Sequence, residues 1–102
     1  MAASIIRWER RDGADREQLG VAAFNYCRAV RAQGATSCRF FWTGPDSVVV
    51  FAEADSPHFF DDQPKPEGAQ ALFALADVAR TDGPERWMDP RDGQAAYRSA
   101  GR

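Results

Sequence analysis

The chain alternates its hydrophobic periods in a fixed order, and that order leaves few folds open. Ser4 to Arg10 (SIIRWER) alternates as a strand, and Asp12-Gly13 marks a turn. Asp15 stands where a helix cap is wanted, with Gln18 at the reciprocal capping-box position. Leu19, Ala23, Tyr26, Cys27 and Val30 then recur at helical spacing, and Gly34 supplies a stop. Thr36 to Trp42 (TSCRFFW) and Ser47 to Ala54 (SVVVFAEA) are β-rich, and Thr43-Gly44-Pro45-Asp46 joins them too tightly for anything but an antiparallel hairpin. Asp55 to Gly68 contains three prolines and reads as a long connection with a helical turn around His58 to Asp61. A second helix is expected over Ala69 to Arg80, with Leu72, Leu75, Ala76 and Ala79 buried. A short fourth strand is expected over Glu85 to Asp89, ended by Pro90. The whole is βαββαβ, which folds as a four-stranded antiparallel sheet with both helices on one face.

Length fits this reading. The 102 residues suffice for one core, placed at residues 1–90, followed by a small polar tail at 91–102 with Tyr97 as its anchor. Hydrophobic residues make up 44% of the chain and aromatics 12%, which excludes a disordered polypeptide. The net charge is −2 with no basic block, so neither nucleic acid nor an anionic membrane is an expected partner. RNA-recognition modules share the element order, but they need several aromatics on the third strand. SVVVFAEA offers only Phe51 and carries Glu53. No apolar run approaches a membrane helix, and MAASIIRWERR lacks the pattern of a secretion signal. A cytoplasmic location is the expectation, with Cys27 and Cys38 as reduced thiols. The richness in Arg, Ala, Gly and Asp, with one lysine against twelve arginines, is what a GC-rich bacterial genome writes.

Alternation divides the strands into two faces. One collects Ile6, Trp8, Cys38, Phe40, Trp42, Val48, Val50, Ala52 and Trp87, and is expected under the helices. The other collects Ile5, Arg7, Glu9, Arg39, Phe41, Val49, Phe51, Glu53, Arg86 and Met88. A solvated face does not usually concentrate Phe41, Phe51, Val49 and Ile5, and a plain core does not hold Arg7, Arg39 and Glu53. The mixture predicts a half-dry surface on which Arg7 pairs with Glu53 and Arg39 lies beside them. Charges removed from water need such partners, at several kcal/mol per ion.

This element order and these strand faces, over residues 4–89, resemble the dimeric α/β-barrel superfamily of ferredoxin-like domains. The resemblance implies a homodimer closed through the sheet faces and a small-molecule pocket between sheet and helices in each subunit. Functions in the superfamily are diverse, and fold alone selects none. Those the resemblance brings forward are cofactor-free monooxygenation and cyclisation of an aromatic or polyketide-like substrate. A non-catalytic ligand-sensing or structural homodimer stands as the alternative.

Residues with suitable chemistry are few. His58, the one histidine, is the candidate for moving protons, because its ordinary pKa lies nearest neutrality. Packing of an ordinary loop histidine on Phe59 and Phe60 is the competing reading. Tyr26, Phe40 and Trp42 are candidate ligand walls, while Arg7, Arg39 and Glu53 are candidate groups for an anion or carbonyl. The pocket is expected under the first helix and the 55–68 loop. No cofactor or metal is expected: the cysteine spacing matches no zinc signature, and the resemblance implies haem chemistry only with an asparagine on the first strand, whereas Asn25 lies on the first helix. No nucleophile elbow or phosphate-cradling loop is present.

Overall fold

The computed structural model describes residues 1–62 and 65–98. Strand β1 (Ala2–Arg10) leads to helix α1 (Arg16–Ala32) and then to the hairpin of β2 (Ser37–Gly44) and β3 (Ser47–Ala54). A 3-10 turn (Phe59–Asp62) precedes α2 (Pro66–Val78), followed by β4 (Ala79–Arg80), β5 (Pro84–Met88) and α3 (Pro90–Ala96). The sheet is antiparallel in the order β2-β3-β1-β4, with β5 also on β1. β3 holds one side of β1, so β4 and β5 share the other. They form the two halves of one interrupted fourth strand. This is the ferredoxin-like βαββαβ arrangement.

Local chemistry explains the boundaries. Asp15 and Gln18 form the complete capping box at the start of α1: Gln18 N–H donates to Asp15 Oδ1 at 2.7 Å and Asp15 N–H to Gln18 Oε1 at 2.8 Å. Gly34 ends the helix at φ +117°, a conformation that costs glycine little. Gly83, at φ +106°, breaks the fourth strand. Its N–H turns back to Thr81 Oγ1 at 3.1 Å, and Pro84 has no N–H to continue the ladder.

The core lies between the helices and one sheet face. Leu19, Leu75, Val48, Val50 and Cys38 are its largest fully buried side chains. The helix-side assignments of Ile6, Trp8, Cys38, Val48, Val50 and Ala52 hold, as all belong to or pack on this cluster. Gly20 accommodates a neighbour, since a Cβ there would stand 3.3 Å from the Trp42 ring. Cys27 and Cys38 are free, buried and adjacent. The hydrogen bond to Cys27, reinforced by burial, pushes the Cys38 thiol far above its ordinary pKa, so it is a small hydrophobe and not a nucleophile.

Three expectations need correction. The fourth strand is in phase with Ala2↔Met88, Ala3↔Trp87 and Ser4↔Arg86. Arg86 and Met88 therefore face the helices, and Trp87 lies on the open face, 53% exposed. A one-residue slip in phase exchanges every side chain between faces, and five residues with apolar groups at both parities do not fix it. Arg7 and Glu53 do not pair: Arg7 stands opposite Val49, whereas Glu53 stands opposite Ala3, four residues away along β1. At about 3.3 Å per residue that is roughly 13 Å. The polar tail begins as α3, with Pro90 in the first turn and Asp89 accepting from Asp92 N–H at 2.8 Å. Tyr97 at its end is 58% exposed and is not a buried anchor, and residues 99–102 of the expected tail lie outside the described residues.

Candidate functional site

A cavity of about 210 Å³ opens between the sheet and the helices. Ser4 and Ile6 of β1 and Val50 and Ala52 of β3 form its floor, because these positions share the helix-facing parity. Tyr26 and Val30, one helical turn apart on α1, stand over it with Leu72 of α2. Phe60 of the 3-10 turn and Pro84 and Arg86 of β5 close the remaining side. The lining is mostly apolar, with three polar groups: the Ser4 and Tyr26 hydroxyls and the Arg86 guanidinium.

Arg86 is held from outside the cavity. Its Nη1 donates to Asp61 Oδ1 at 2.6 Å, its Nη2 donates to the Phe60 carbonyl at 3.2 Å, and its Cζ lies 5.7 Å from the Phe60 ring centroid. Phe60 is buried and meets Phe59 edge-on at 5.1 Å. The turn thus fixes the guanidinium by charge, by backbone and by its aromatic face. The second oxygen of Asp61 accepts from His58 Nδ1 at 3.0 Å. This hydrogen bond, then those from Arg86, hold the Asp61 carboxyl below its ordinary pKa. The result is a relay, His58–Asp61–Arg86, running from solvent to the cavity wall.

The two hydroxyls are differently placed. Burial, with the Cys38 and Cys27 thiols adding to it, pushes the Tyr26 phenol up to about 12. It stays protonated at physiological pH and is suited to donate a hydrogen bond, not to remove a proton. Ser4 is buried and adjacent to Arg86 across the β1–β5 ladder. An apolar chamber with two hydroxyls and one oriented cation can hold a compact molecule bearing a phenolic, enolic or carbonyl oxygen.

Of the residues singled out from the sequence, Tyr26 lies in this wall. Phe40 and Trp42 share the helix-facing side but sit on outer strand β2, outside the cavity lining, their rings edge-on at 6.3 Å. His58, with a side chain 78% exposed, reaches the cavity only through Asp61 and Arg86. Arg7, Arg39 and Glu53 occupy the opposite face of the sheet, where Glu53 accepts from Ser37 Oγ at 3.1 Å. Ser4, Phe60, Asp61 and Arg86 were not anticipated as site residues. Only the phase of the fourth strand could have revealed Arg86. Among the described residues, no three His, Cys, Asp or Glu side chains converge as a metal site requires, and no helix is long and apolar enough to cross a membrane.

No family model matches the chain, and no curated protein does. Solved structures share its fold. SnoaB, a cofactor-independent oxygenase from Streptomyces nogalater, superposes with a TM-score of 0.71 at 12% identity, over 85% of this chain and 90% of its own. Rv0793 from Mycobacterium tuberculosis gives 0.69 at 17% identity, over 85% and 92%. A dimeric protein of unknown function and ferredoxin-like fold from Bacteroides fragilis gives 0.63 at 14%, over 84% and 93%. At these identities the likeness is one of fold.

Proposed function

We propose that the chain forms a homodimer through its open sheet face and binds a compact aromatic or polyketide-like molecule in the cavity beside Arg86. The favoured activity is cofactor-free oxygenation of a phenolic substrate, with cyclisation of a polyketide-like chain as the related possibility. The observation that carries this reading is the cavity itself: apolar walls, one oriented guanidinium, and hydroxyls of Ser4 and Tyr26 that make no hydrogen bond among the described residues. At about 210 Å³ it is smaller than the pockets of drug-sized ligands, roughly 300–1,000 Å³. The fitting ligand is a single ring or a fused pair. SnoaB, a cofactor-independent oxygenase, has the same fold.

In such an oxygenation the phenol loses its proton and its ring carbon is oxidised by dioxygen. One oxygen atom enters the ring and the other leaves as water, giving a quinone. Arg86 stabilises the phenolate that begins the reaction. A second reading, ligand sensing without turnover, is favoured by the exposure of His58 and by the lack of a carboxylate or imidazole in the wall among the described residues.

A naphthol under air separates the two. Oxygenation is expected to consume one dioxygen per naphthoquinone formed, a product that gains one oxygen and loses two hydrogens. Binding without oxygen consumption selects sensing, and no binding at all overturns the cavity assignment. For the oxygenase reading, His58→Ala is expected to lower turnover while leaving the circular dichroism intact. Unchanged turnover removes His58 from the chemistry.

A further inference from the structure

The open face carries a pattern that its strand register makes visible. One row across four strands reads Arg39, Phe51, Ile5, Glu85: cation, aromatic, aliphatic, anion. Arg39 and Glu85 stand at opposite ends, three interstrand spacings of about 4.8 Å apart. Neither enters an ion pair among the described residues, although Glu85 accepts from Trp87 Nε1 at 2.7 Å. The next row reads Ser37, Glu53, Ala3, Trp87. It runs from a small side chain at one end to a large one at the other, and Trp87 is 53% exposed.

From this pattern we infer that the face is built to meet a second copy of itself about a two-fold axis running along the strands between β3 and β1, pairing Arg39 of each copy with Glu85 of the other. The inference rests on the homodimer proposed above and specifies its geometry. A two-fold relation requires each patch to complement itself, and this axis does so throughout the first row and at the ends of the second, where Glu53 meets only Ala3 in the middle. The charged ends of the first row exchange, and Phe51 meets Ile5. In the second row Trp87 of one copy covers Ser37 of the other. Phe41, 51% exposed on β2, comes over the gap at residues 81–83 where the fourth strand is broken. Aligned sheets cross at about 30°, which displaces row ends by a few ångström, within the reach of Arg and Glu side chains.

Charge reversal tests the pairing. Arg39→Glu sets acid against acid at both ends of the interface, and Glu85→Arg sets cation against cation. Each variant alone is expected to dissociate at least about thirtyfold more readily than wild type in sedimentation velocity. Mixed in equal amounts, they are expected to form a heterodimer, and the R39E/E85R double variant is expected to recover the homodimer. Circular dichroism separates lost assembly from lost folding, and the heterodimer arm requires both chains folded. Single variants that dimerise as tightly as wild type overturn the Arg39–Glu85 pairing and leave the sheet-face dimer standing. Dissociation without rescue in the mixture also overturns the pairing. Wild-type protein that is monomeric at micromolar concentration overturns both.

Discussion

Tyr26 and Asp61 show how single side chains set the character of the cavity. The Tyr26 ring fills wall space, while its hydroxyl makes no protein hydrogen bond among the described residues. Tyr26→Phe is therefore expected to change unfolding free energy by no more than about 0.5 kcal/mol. Naphthol affinity should fall by up to about tenfold, the equivalent of one net hydrogen bond. Calorimetric titration and urea unfolding check both, and a loss of stability with unchanged affinity would sink the assignment. Asp61 titrates in the opposite sense from Tyr26. Its folded pKa is depressed, so its contribution is complete above the ordinary value of 3.8 and is lost as pH falls through the lower folded value. A carboxyl NMR titration should place its midpoint below 3.8, rising in His58→Ala because the His58 hydrogen bond is the largest cause. A midpoint at or above 3.8 in the wild type would dissolve the relay. Tyr26 was legible from sequence because it lies on a long apolar helical stripe. Arg86 was not, because its five-residue strand does not fix its own phase.

Among the elements, α1 was the easiest to anticipate. A seventeen-residue helix gives its period many chances to repeat, and both ends carry capping chemistry. Asp15→Ala removes the acceptor for Gln18 N–H and is expected to cost about 1 kcal/mol in urea unfolding. A cost near zero would mean that the cap is redundant. The β2–β3 hairpin was equally legible, since a tight turn between two β-rich segments leaves no other pairing. The fourth strand was harder. Ala79 and Arg80 continue a helical apolar pattern in sequence, yet pair with Arg10 and Glu9 once the sheet edge is available. Tertiary pairing overrode a local period there, whereas α3 starts from a local cap at Asp89 with a proline in its first turn.

Over the whole molecule, exposed apolar side chains lie on both layers, with Val21, Phe24 and Phe73 on the outer surfaces of the helices. The helices cover one side of the sheet, while the other retains Phe41 and Trp87 more than half exposed, with Ile5, Val49 and Phe51 partly so. Patches of this kind mark contact surfaces. Phe51→Asp sets a carboxylate in the middle of the patch and is expected to yield monomers or aggregates by light scattering. An unperturbed dimer would count against the interface. The mixed character of this face was readable from alternation alone. Its charge arrangement was not, because pairing within a strand order depends on register. Alternation gives parity and says nothing of offset, so Arg7 and Glu53 share a side without meeting.

The break at Thr81 to Gly83 has a consequence for solubility. A sheet extends indefinitely only if both rims offer a long, regular row of free amides and carbonyls to the next molecule. Here one rim presents two residues, a glycine kink, and then five residues beginning with a proline that cannot donate. A strand arriving there finds no continuous ladder to extend, so stacking rim to rim into fibrils is opposed at that edge by the backbone itself, beside the charges of Arg80 and Glu85.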